Sequence, residues 1–179
     1  MSRAVSCCSG IDEFWREDSN LFRTKSAYFS EDRRYRYLLR RRVGDSSRRV
    51  LFVMLNPSAA DEVRDDPTIR RCIGFARKWG YGLLDVVNLF ALMSTDPKGL
   101  LEVDDPVGPY NDAMIHHALE AADSVVLAWG NHGLDHPGRV KEVTAMVRRS
   151  AQPLCLGLTL KGAPRHPLRL ARTTALCRF

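Results

Sequence analysis

The chain has 179 residues and a mass of 20.2 kDa, enough for one domain that folds without disulfide staples or a structural metal. Hydrophobic residues make up 45% of it and charged residues 27%, which excludes a disordered polar chain and a membrane-embedded one. The net charge of +6 is concentrated in two blocks: eight arginines against three acids in residues 31–50, and five cations with no acid in residues 161–179. If the blocks share a face, they form an electrostatic footprint for a polyanion. The plain alternative is a solvated arginine-rich hairpin and a basic tail.

In chain order, residues 1–30 read as an N-terminal extension and 31–179 as a single α/β domain. The opening residues lack the apolar core of a secretory signal, and no apolar run approaches the ~18 residues of a spanning helix. A cytoplasmic protein without membrane attachment is expected. Cys7 and Cys8 adjoin, whereas Cys72, Cys155 and Cys177 lie far apart in or beside apolar segments; buried free thiols are their expected state. Residues 35–43 and 48–55 flank Gly44-Asp45-Ser46-Ser47 and predict an antiparallel strand pair around a turn. Apolar runs follow at 83–90, 124–129 and 153–158, with helical stretches at 67–79, 109–122 and about 138–149. Continuous apolar strands alternating with helices predict a parallel sheet covered on both faces. The expected fold is a three-layer α/β/α sandwich with a central four-stranded parallel sheet and an N-terminal antiparallel hairpin.

In such a sheet, ligands bind beyond the carboxyl ends of the strands, and there the sequence turns polar. The first run breaks into Asn56-Pro57-Ser58-Ala59-Ala60-Asp61, the second into Asn88-Leu89-Phe90, and the third into Trp129-Gly130-Asn131-His132-Gly133. After the fourth comes Lys161-Gly162-Ala163-Pro164-Arg165-His166-Pro167-Leu168-Arg169. Each segment alone has an ordinary use as a turn former or loop-tying amide. Four at one sheet edge point to a pocket.

This ordered set resembles the uracil-DNA glycosylase superfamily, closest to its mismatch-specific branch. Leu55-Asn56-Pro57-Ser58 stands where that branch has an Asn-Pro loop, and Val86-Val87-Asn88 where it has a base-recognition strand. The run ending in Trp129-Gly130 is similar to its hydrophobic strand, and His166-Pro167-Leu168 to the start of its minor-groove loop. With Asp66-Pro67-Thr68-Ile69-Arg70-Arg71, the pattern also resembles a bacterial family of unknown function, some of whose relatives are associated with defence against phages carrying modified bases. The resemblance implies a glycosylase-like fold and a monomeric DNA glycosylase. Such an enzyme would act on a nucleotide flipped from double-stranded DNA, hydrolyse the N-glycosidic bond of a modified pyrimidine and leave an abasic site. The small Ser58, Ala59 and Ala60 suit a bulky base such as glucosylated hydroxymethylcytosine of phage DNA.

Cleaving that bond develops positive charge on the sugar and negative charge on the departing base, and both need stabilising. His166 is expected to donate a hydrogen bond to the base, Asn56 to hold the attacking water, and Asp61 to orient that water or offset the sugar cation. Asn88 can present donor and acceptor to a base edge, with Pro57, Ser58 and Phe90 completing the base site. Lys161, Arg165, Arg169, Arg172, Arg70 and Arg71 are candidates for DNA phosphates. Leu168 or Arg169 is the candidate wedge that extrudes the nucleotide, although His-Pro-Leu-Arg departs from the family's His-Pro-Ser-Pro. Asp66 before Pro67 reads as a helix cap. His132 and His136 lack a third clustered ligand, and neither a dinucleotide glycine fingerprint nor a P-loop occurs, so no metal or cofactor is expected. Three rivals stay open. They are a nucleoside or nucleotide N-glycosidase or transferase on the same fold, a metal-dependent nuclease using Asp61, Asp65, Asp66 and Asp85, and a non-catalytic nucleic-acid-binding module.

Overall fold

The structure is a computed structural model that describes residues 25–179; Cys7, Cys8 and the rest of residues 1–24 lie outside it. Among the described residues, seven strands and three α-helices follow one another as β1 (Lys25–Phe29), β2 (Arg36–Arg42), β3 (Arg49–Met54), α1 (Pro67–Lys78), β4 (Leu83–Asn88), α2 (Asn111–Glu120), β5 (Ser124–Leu127), α3 (Pro137–Ser150), β6 (Leu154–Cys155) and β7 (Cys177–Arg178). The strands form one mixed sheet in the order β1-β2-β4-β3-β5-β6-β7. Parallel pairings join β4, β3, β5 and β6. Antiparallel ones add β2 and β1 at one edge and β7 at the other. β1 falls within the expected extension and is part of the sheet.

Strand β3 shows why helices cover both faces. Its side chains alternate, and all from Val50 to Met54 are buried. Val50, Phe52 and Met54 pack with Ile69, Cys72, Phe75 and Ala76 of α1. Leu51 and Val53 join a second cluster with Met114, Ile115 and Ala118 of α2 and Val143 and Val147 of α3. The α1 residues recur at helical spacing, so one face of the helix is apolar. The Asp66 side chain caps its first turn by accepting from the Ile69 amide at 2.8 Å, and Pro67 starts it, as the sequence predicts.

The expected pairing of residues 35–43 with 48–55 does not form. β4 enters between them, antiparallel to β2 and parallel to β3. Its entry point is Gly82, where a Cβ would lie 1.7 Å from the Ser46 carbonyl oxygen, so the turn closes around a residue that must lack a side chain. A strand buried on both faces needs hydrogen-bond partners along both edges. β3 finds them in β4 and β5, while β2 finds them in β1 and β4. The N-terminal hairpin is therefore β1–β2, one strand earlier than the sequence suggests. The last apolar run also shortens. β6 spans only two residues before Gly157, at φ +88°, turns the chain away.

The arginines of residues 31–50 are mostly engaged within the fold rather than gathered as a basic face. Arg36 and Arg41 are 2% and 1% exposed. Arg36 donates to the Ala60 carbonyl; Arg41 donates to the Asp61 carbonyl and pairs with Asp65 at 2.7 Å. Arg40 and Arg49 close on the fully buried Asp85 carboxylate at 2.9 and 2.6 Å. Arg33 pairs with Glu62. Buried guanidinium groups need acceptors; the loop after β3 supplies them to Arg36 and Arg41 and pairs Arg33, while Asp85 of β4 serves Arg40 and Arg49. Lys161, Arg165, Arg169 and Arg172 are exposed, and none enters an ion pair among the described residues.

Candidate functional site

The chain leaves β3 for its neighbour β4 on one side and later crosses from β4 to β5 on the other. The carboxyl ends of β3 and β5 thus flank the topological switch point, where open α/β sheets form their ligand crevice. Asn56 lies just beyond β3, and Gly130 just beyond β5.

Both amide protons of Asn56 are engaged. Its Nδ2 donates to the Pro57 carbonyl at 3.1 Å and the Ser94 carbonyl at 2.8 Å, tying the loop after β3 to the loop after β4. This fixes the carboxamide's orientation and leaves Oδ1 as the atom that can accept from water or a ligand. An open cleft of about 420 Å³ adjoins these loops, lined by Ser58, Ala59, Met93, Ser94 and Thr95.

His166 reaches the same sheet edge through a tight hairpin. The Thr159 amide donates to the Ala163 carbonyl at 2.8 Å, and the Thr159 hydroxyl donates to Asn131 Oδ1 at 2.7 Å. The Gly130 amide then donates to the Pro164 carbonyl at 2.9 Å. A Cβ built on Gly130, whose φ is +74°, would stand 3.2 Å from His166 Cβ. Gly130→Ala is expected to lose about 1–3 kcal/mol of stability through backbone strain and crowding. Denaturant titration measures that loss.

Burial pushes the His166 imidazole below its ordinary pKa, opposed by the Asp66 carboxylate and aided by His132. The ring is therefore neutral at neutral pH. The Leu168 amide donates to Nδ1 at 3.4 Å, a long bond that assigns the ring proton to Nε2. His166 is then a neutral N–H donor. At the end of β4, Asn88 is 2% exposed, and its Nδ2 has no hydrogen-bond partner among the described residues. Its carbonyl and that of Leu89 accept from Asn111 Nδ2 at 3.1 Å, and Leu89 also accepts from Arg139 Nε at 2.7 Å.

From β2 through the His166 loop, residues 36–168, the sequence matches a known family. The chain belongs to the family described as Protein of unknown function (DUF1643). No curated protein and no solved structure matches it. The DUF1643 match contains Asn56, Asn88, Gly130 and His166, and leaves Arg169, Arg172, β1 and β7 outside. No helix of the described residues is long and apolar enough to cross a membrane.

The other residues singled out by sequence occupy varied positions. Asp61 Oδ1 accepts from the amides of Arg64 and Val63 at 2.6 and 2.7 Å, which holds its carboxyl below the usual range. That oxygen folds the loop. Pro57 is buried, Ser58 lines the cleft, and the buried Phe90 meets the His136 ring edge-on at 4.6 Å. Arg70 donates to the Asp65 carbonyl, and Arg71 lies over the Phe75 ring. Asp65 pairs with Lys25 and Arg41, Asp66 caps α1, and Asp85 holds two arginines. With Asp61 in its turn, all four acids of the nuclease rival are committed to structure. Leu168 is partly exposed, but Leu160, at the tip of the 158–164 hairpin, is fully exposed. Sequence reasoning missed Leu160, Asn111 and Arg139. The Leu160-Lys161-Gly162 turn was a signal for the first, and no local pattern marks the other two.

Proposed function

We propose that the chain is a DNA N-glycosylase that hydrolyses the glycosidic bond of a modified pyrimidine, with the uracil-DNA-glycosylase-like core that its parallel strands suggest. The observation that carries the reading is His166: a neutral imidazole, its Nδ1 accepting from its own loop, offering an Nε2–H donor at the switch-point edge. A departing base gains negative charge as its bond to the sugar stretches. A fixed donor is worth most at that moment, because no solvent must reorganise. The Oδ1 of Asn56, oriented by two carbonyls, accepts from the water that attacks the anomeric carbon. That water loses its proton to solvent, and the base leaves as the anion.

The Nδ2 of Asn88, buried and without a partner among the described residues, is the donor proposed for base recognition. Ser58 and Ala59 border an open cleft, which leaves room for a base substituent. Leu160 and Leu168 are exposed apolar groups suited to enter a base stack, and Lys161, Arg165, Arg169 and Arg172 supply charge for the flanking phosphates.

The test incubates the protein with duplexes bearing cytosine, uracil or glucosylated hydroxymethylcytosine, then reads alkali-labile sites and released bases by mass spectrometry. Abasic sites in the modified duplex alone are expected, and Asn56→Ala should bind that duplex without turnover. Equal release of ordinary bases, or no release from any duplex, rejects the reading. The internal pairing of the 31–50 arginines favours one competitor, an N-glycosidase acting on free nucleotides. Salt separates them. Four phosphate contacts predict an affinity loss of about 100-fold between 50 and 200 mM salt, whereas a nucleotide enzyme should show activity on monomers and little salt dependence.

A further inference from the structure

The three cysteines of the described residues are far apart in sequence, yet two of them touch. Cys155 on β6 and Cys177 on β7 are direct cross-strand partners, with their sulfur atoms 3.4 Å apart. Cys155 is fully buried and Cys177 exposed. Opposed residues of an antiparallel pair have Cα atoms about 4.5–5.5 Å apart, inside the span a disulfide bridges, so closing the bond needs side-chain movement rather than refolding. Cys72 is buried on α1 in a different cluster.

We propose that Cys155 and Cys177 form an oxidisable dithiol site that closes to an intramolecular disulfide, with a hydroperoxide as the oxidant, and pins β7 to the sheet. The Cys177 thiolate attacks the peroxide, breaking its O–O bond to give a sulfenic acid and hydroxide, or alkoxide from an organic hydroperoxide. The Cys155 sulfur then attacks the Cys177 sulfur and forms the S–S bond. The sulfenic oxygen leaves as hydroxide, taking up the Cys155 proton to become water. Two thiols lose two electrons and two protons, and the peroxide is reduced by two electrons. The order follows exposure: the oxidant meets Cys177 first, and burial pushes the Cys155 thiol up to about 11, which suits it to the second step.

What the bond would secure is visible in the packing. Beyond Cys177, the Phe179 amide donates to the Pro153 carbonyl at 3.0 Å. The Phe179 ring stands edge-on to Trp129, with centroids 6.1 Å apart. Trp129 directly precedes Gly130, the residue against which His166 sits. β7 is a two-residue edge strand, so without a covalent tie its end should fray readily. The disulfide would hold this aromatic contact in place.

The full chain carrying Cys7→Ser and Cys8→Ser is treated with one to a few equivalents of hydrogen peroxide. The expected product is lighter by about two mass units and yields a Cys155–Cys177 linked peptide on digestion. Constraining the 22-residue separation should also raise the melting temperature by roughly 5–10 °C, reversed by dithiothreitol. Cys177→Ser should fold normally and show neither change. Oxygen addition at Cys177 without a cross-link, or Cys155 and Cys177 both still reduced, overturns the site; a cross-link without stabilisation overturns the pinning of β7.

Discussion

His166→Ala is expected, for the proposed glycosylase, to lower turnover by about 10²–10³-fold while DNA affinity changes little, because that reaction would need the lost hydrogen-bond donor mainly when the base becomes anionic. The acid side of the pH profile reports its state. Burial lowers the pKa of His166, so the neutral donor persists through neutral pH, and activity should fall only on acidification past that lowered value. His166→Gln keeps an N–H donor that does not titrate; it should retain more activity than alanine and lose the acid limb. The same shift bears on stability. The unfolded imidazole takes up its proton near its ordinary pKa of about 6.5, before the folded one does. Stability attributable to this group is thus intact above that pH, falls below it, and levels off below the folded pKa. Activity that instead rose on acidification through pH 7 would make the imidazolium the donor and overturn this assignment.

Asp85→Ala should cost the fold about 3–5 kcal/mol. The carboxylate is fully buried and accepts from Arg40 at both oxygens and from Arg49 at 2.6 Å. Removing it leaves two guanidinium groups facing each other with their shared counter-charge gone. Urea denaturation should show the loss as a lower midpoint at nearly unchanged slope. Replacing Arg40, Arg49 and Asp85 together by leucine should recover much of it, because apolar groups of similar volume carry no desolvation cost. A loss below about 1 kcal/mol in Asp85→Ala would show that the two arginines do not depend on Asp85.

The elements were legible where a signal is local. Pro67 after Asp66, and the spacing of Ile69, Cys72, Phe75 and Ala76, marked α1 almost to the residue. Largely apolar runs at 50–55, 83–90 and 124–129 announced strands buried on both faces, with Asp85 the charged residue inside the second, and the polar residues at their ends located the sheet edge where Asn56, Asn88 and His166 lie. Partners were not legible. Residues 35–43 and 48–55 looked like a hairpin because a turn joins them, but β4, some thirty residues later, takes the place between them.

The same limit explains the charges and the thiols. Arg36 and Arg41 look solvated in a run of arginines, and only the path of the 60–65 loop brings carbonyls and Asp65 to them. Cys155 and Cys177 look unrelated until β7 folds back on β6. Composition, capping residues and periodicity act over a few residues, so the sequence by itself determined which segments are helix or strand and which ends are polar. Pairing order, ion-pair partners and the burial that lowers the pKa of His166 depend on groups brought together from distant positions, where hydrogen-bond completion and desolvation decide the outcome; only the tertiary structure settled those.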